Sequence, residues 1–83
     1  MHTFDLRQTI VSFSLLEISH RFKLMKEKEI LEVLWEEPDT RSALFKILSA
    51  DSYDIIGEEK IGGSNPGFRI QLQKKIKSNE PVR

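Results

Sequence analysis

The spacing of apolar residues in this chain switches repeatedly between the strand period and the helix period, and the order of those switches restricts the folds open to it. Over residues 3–7 polar and apolar side chains alternate, with Phe4 and Leu6 on one side, which suits a short strand. Residues 14–26 then place Leu15, Ile18, Phe22 and Met25 at helical spacing, with Glu17, His20, Arg21, Lys23 and Lys26 on the other faces. Ser14 and Glu17 have the spacing of a capping box, and Phe13 and Ile18 that of a hydrophobic staple. The helix is expected to open there.

The run Ile30–Trp35 is short, β-branched and aromatic, and Glu36-Glu37-Pro38 closes it, so it reads as a central strand. Asp39 is the expected N-cap of a second helix reaching about Ala50, with Leu44, Ile47, Leu48 and part of Phe45 as its buried stripe. A third strand begins at residues 53–56, and the turn-rich stretch 62–67 joins it to a cleanly alternating fourth at 68–73. The order is β-α-β-α-β-β. On so short a chain it predicts an α+β two-layer sandwich, a four-stranded mixed sheet with both helices on one face. Phe4, Leu6, Val33, Ile55, Ile70 and Leu72 belong to its core, while Arg7, Arg69, Gln71 and Gln73 line the water-facing side. Residues 1–76 form a single domain and residues 77–83 a polar C-terminal tail.

A domain of 83 residues lies near the lower end of what one core holds together, and no cysteine is present to staple it. The same absence removes thiol catalysis, persulfide chemistry, thiolate zinc sites and redox sensing. Thirteen basic and thirteen acidic residues cancel, so no global field draws in nucleic acid or an anionic membrane. No apolar stretch approaches a membrane span, and the first residues lack the basic and apolar regions of a signal peptide. The expected location is the cytoplasm.

Asp5-Leu6-Arg7 followed by Leu15-Leu16, then residues 29–34, Glu37-Pro38-Asp39-Thr40 and Asp54-Ile55-Ile56, resembles the TusA/SirA-like family of small sulfur-carrier proteins. The spacing agrees without gaps from Asp5 to about Glu59. The resemblance implies the same sandwich, similar to the C-terminal domain of translation initiation factor three. The family's functional motif is Cys-Pro-x-Pro at the start of the first helix, and the matching positions are Val11, Ser12, Phe13 and Ser14. Val11 therefore stands where the carrier cysteine would, and valine cannot accept a persulfide sulfur. Gln8 replaces the glycine usual after Asp-Leu-Arg, Glu37-Pro38 the usual Asp-Pro, and Ala43 an acidic residue early in the second helix. The scaffold is kept and the chemistry lost.

Other constellations carry little chemistry. Ser12 and Ser14 lie at a helix N-terminus, where capping is their expected role, since no His or Lys is placed as their base. Glu17-x-x-His20 is half of a helical metal motif without a second half, and His20 reads as a solvated residue. Gly57 and Gly62-Gly63 make no phosphate-binding fingerprint. Neither enzyme chemistry nor a metal or cofactor is expected. Trp35 reads as core or sheet-edge packing.

Two readings remain. In the first, the chain is a protein-interaction or regulatory relative of the sulfur carriers, monomeric or weakly dimeric, whose partner belongs to sulfur transfer and docks on Arg7, Val11, Ser12, Phe13 and Ser14. In the second, it binds RNA or another polyanion through the basic patch Arg21, Lys23, Lys26 and Lys28, with Lys74, Lys75 and Lys77 nearby.

Overall fold

The computed structural model describes residues 1–7, 10–64 and 66–75, and Val11 by its backbone alone. Strand β1 (His2–Asp5) leads to helix α1 (Val11–Leu24), strand β2 (Ile30–Trp35), helix α2 (Thr40–Ile47), a 3-10 turn at Ala50–Ser52, and strands β3 (Tyr53–Ile61) and β4 (Gly67–Lys74). The sheet order is β1-β2-β4-β3, with β1 parallel to β2 and β4 antiparallel to both β2 and β3. This is the mixed four-stranded sheet with two helices expected from the periodicity. Among the described residues no helix is long and apolar enough to cross a membrane.

Register assigns the two faces. Leu31 and Val33 of β2 pair with Leu72 and Ile70 of β4, and all four are fully buried beneath Ile18 and Phe22 of α1 and Leu44 of α2. Trp35 stacks on Phe68 at one end of this core, ring centroids 5.9 Å apart, and Tyr53 packs between Phe22 and Phe45 at the other. The opposite face is polar but not loose. Glu32, buried there, accepts hydrogen bonds from Thr3 Oγ1 at 3.3 Å and Gln71 Nε2 at 3.1 Å, and lies 3.5 Å from the Arg69 guanidinium. Arg69 also pairs with Glu59, so polar contacts cross all four strands.

Several local expectations are corrected. Helix α1 begins at Val11 rather than Ser14, its N-cap is Ile10, and no side chain caps it, so the Ser14–Glu17 capping box does not form. Ser14 already lies inside the first turn and donates its backbone N–H to the Ile10 carbonyl at 3.2 Å. The staple fails for the same reason: Phe13 is 69% exposed while Ile18 is buried. At its far end α1 stops at Leu24, because Met25 is extended, although its side chain stays in the core. Asp39 precedes α2 as expected but makes no side-chain cap, since its own backbone is already helical.

In α2 Ile47 is exposed, because the helix ends there and Leu48 turns inward in extended conformation. Strand β3 runs to Ile61, and its pairing with β4 slips between Ile55 and Gly57. Ile55 is 48% exposed, not core, because β3 is an edge strand, with no further strand to cover its outer side. Phe4 is half-buried on edge strand β1. The tail from residue 77, and the end of the domain at residue 76, lie outside the described residues.

Candidate functional site

The end of the sandwich where β1 passes into α1 is built around a carboxylate and a guanidinium. Leu6, buried, donates its N–H to the Leu34 carbonyl at 2.8 Å and fixes the chain just beyond β1. Arg7 turns back on Asp5 with its backbone N–H at 3.1 Å, Nε at 2.8 Å and a terminal nitrogen at 2.7 Å. This bidentate bond holds the Asp5 carboxyl below the usual carboxylate range and raises Arg7 correspondingly. Arg7 is therefore committed to structure and does not present a free guanidinium. Its Cδ would lie 3.1 Å from a Cβ placed on Gly67, and that Cβ would also collide with the Trp35 carbonyl oxygen. Only glycine fits where the start of β4 passes under Arg7.

Beyond this anchor the surface becomes apolar. Ile10 and Phe13 are 65% and 69% exposed at the uncapped start of α1, and Leu16, one turn on, is 60% exposed. Ser12 is exposed and Ser14 half-buried, both within the helix, so neither plays the capping role expected of it. Val11 begins the helix by its backbone, and its side chain lies outside the described residues. The structure thus brings Arg7, Ser12, Phe13 and Ser14 to one end of the molecule, with Phe13 as the projecting member. Leu16 was missed from sequence because Leu15, its neighbour, satisfies the helical stripe.

The opposite end is basic. Arg21 and Lys23 project from the last turn of α1, and Lys26 and Lys28 from the loop to β2. All four are exposed, and among the described residues none of them forms an ion pair. The loop beneath them is held by its backbone. Glu29 accepts the Lys26 N–H at 2.9 Å and meets His2 at 3.3 Å, contacts that hold its carboxyl below the usual range. Lys28 sits at φ 73°, with its N–H on the Lys74 carbonyl at 2.7 Å.

The other lysines expected in this patch behave differently. Lys74 lies 4.2 Å above the Phe22 ring and donates Nζ to the Phe22 carbonyl, capping α1. Burial lowers its pKa. Lys75 pairs with Asp54 at 3.5 Å, and Lys77 lies outside the described residues. No three His, Asp or Glu side chains gather as metal ligands among the described residues, and His20 and Glu17 are both exposed on α1.

One further concavity was not foreseen. A groove of about 340 Å³ lies between α2 and β3, with Trp35, Pro38 and Phe68 among its walls and Arg41, Glu58 and Lys60 around them. Arg41 closes one side through a 2.6 Å bond to Glu58 and a cation–π contact of 4.8 Å with Phe45. That pairing raises Arg41 and lowers Glu58, and the two charges offset each other. No family model matches this chain, and no curated protein matches it.

Proposed function

We propose that this chain is a non-catalytic protein-binding domain, a relative of the TusA/SirA-like sulfur carriers without the carrier residue, that docks a sulfur-transfer protein at the start of α1. One observation carries the reading: Ile10 and Phe13 stand in water at an uncapped helix start, doing nothing for the core. An exposed aromatic beside an aliphatic side chain supplies the desolvated anchor from which protein interfaces draw most of their binding energy. The Asp5–Arg7 bond fixes the chain at the end of β1, three residues before Ile10. The partner class rests on the resemblance, which aligns Val11 to Ser14 with the family's reactive motif.

The test is binding of an immobilised cysteine desulfurase or sulfur-transfer protein to wild type, Phe13→Asp and Val11→Asp, each first shown to be folded by circular dichroism. Loss of binding in the variants supports the surface; equal binding by all three rules it out. Incubation with a persulfide donor should leave the intact mass unchanged, and a stable added sulfur would refute the non-carrier reading. A second reading is kept by the unpaired quartet Arg21, Lys23, Lys26 and Lys28. If polyanion binding is the function, retention on heparin falls steeply with salt and is lost on reversing those four charges.

A further inference from the structure

Helix α1 is apolar on two sides. The inner side, with Ile18, Phe22 and Met25, is sealed against the sheet. Along the outer side Phe13, Leu16 and Leu24 are 69%, 60% and 80% exposed. A lone surface leucine is ordinary, but this side of a 14-residue helix carries two large apolar residues at its start and a third at its end. Between the apolar ends the same side carries Glu17 and His20, both exposed. Neither the core nor the docking reading uses Leu24 or this charged centre.

The order of these residues selects an occupant. A two-fold axis passing beside the midpoint of α1, between Ile18 and Ser19, sets Phe13 of one copy opposite Leu24 of the other. The same operation sets Glu17 opposite His20. Apolar meets apolar at both ends, and a carboxylate meets an imidazole in the middle. A parallel pair would instead stack Glu17 on Glu17, which is repulsive. Antiparallel pairing also opposes the two helix dipoles. The surface is self-complementary, as a two-fold interface must be.

We propose that the outer side of α1 is the interface of a two-fold dimer of this chain, with the two α1 helices antiparallel and Phe13 of each copy seated against Leu24 of the other. A single helix pair lies at the small end of specific interfaces, so the dimer exchanges readily with monomer. The inference goes beyond the docking reading and does not depend on it. It also gives Phe13 two exclusive uses: in the dimer it is covered, and only the monomer offers it to another protein.

The test uses the whole chain with no partner present. Sedimentation over a rising protein concentration should show the mass moving from monomer towards dimer, and Leu24→Glu should remain monomeric with an unchanged circular dichroism spectrum. Because the chain has no cysteine, Phe13→Cys and Leu24→Cys each carry one thiol. Mixed and treated with a bis-maleimide matched to the roughly 8–10 Å between packed helix axes, they should cross-link 13 to 24 in clear excess over 13 to 13 or 24 to 24. Wild type that stays monomeric throughout, a dimer that Leu24→Glu leaves intact, or a majority of like-to-like cross-links would each overturn the proposal. None of these readouts involves a sulfur-transfer protein, so failure here is distinct from failure of the docking reading.

Discussion

The two ends of α1 are built by opposite means. At its end the helix is tied down three ways: Phe22 and Met25 enter the core, Lys74 caps the Phe22 carbonyl, and Arg21 and Lys23 complement the macrodipole. At its start there is no side-chain cap, no acidic residue in the first turn, and an exposed Ile10 and Phe13. One end spends its residues on stability and the other does not. Large apolar side chains that folding does not employ are where binding is to be sought, and Ile10, Phe13 and Leu16 gather them at the start of α1, against Leu24 alone at its end.

The contrast is broken most directly by truncating one phenylalanine at each end. Phe22→Ala should lose about 3–5 kcal/mol of unfolding free energy, because it opens a cavity among Tyr53, Ile18 and the sheet. Phe13→Ala should stay within about 0.5 kcal/mol of wild type, as an exposed substitution does. Urea melts of both measure the difference, and similar losses would mean that Phe13 is structural after all.

Next in size is the cap on the ordered end. Lys74→Met keeps the aliphatic stem over Phe22 but removes the donor and the charge, and should destabilise by about 1–2 kcal/mol. At the other end Ile10→Asp supplies the missing N-cap on a backbone already extended, φ −83° and ψ 102°, and should stabilise by about 1 kcal/mol. The same substitution should weaken any binding through the apolar start. A variant more stable and less able to bind would show that the helix start is tuned for something other than folding.

The smallest effect is with acid. Arg7 depresses the Asp5 pKa in the folded state, so this bond contributes stability above the unfolded carboxyl value, near 3.9, and loses it as pH falls through the lower folded value. Arg7→Met should flatten the pH dependence of the melting temperature below about pH 4 without altering its form at neutrality. An unchanged acid limb would mean that the bond contributes nothing in solution.

Strong local patterns carried most of the fold. The alternation at residues 68–73 and the Ile18/Phe22/Met25 stripe fixed which side of each element is buried, and the short connections then left one arrangement of layers. Helix limits were illegible where two signals competed. Ser14 and Glu17 imitate a capping box, yet Val11, Ser12 and Phe13 extend the helix ahead of them because nothing there opposes it. Ile55 misled because β-branched residues mark strands without telling a covered strand from an edge one. Of the candidate site, the absence of any cysteine was plain from sequence. That Phe13 projects into water rather than stapling the helix depends on three residues of helix start, which no pattern in the chain encodes.

Strand β3 forms the outer edge of the sheet, nine residues long, slipped in register at Ile55–Gly57 and followed there by Glu58, Glu59 and Lys60. An open edge of that length is a template on which further chains could add as strands. A register slip of this kind bends a strand, and charged side chains on an edge hinder pairing with a further chain, so growth along the hydrogen-bonding direction is opposed at its first step. A concentrated solution of this protein is therefore expected to resist fibre growth from this edge.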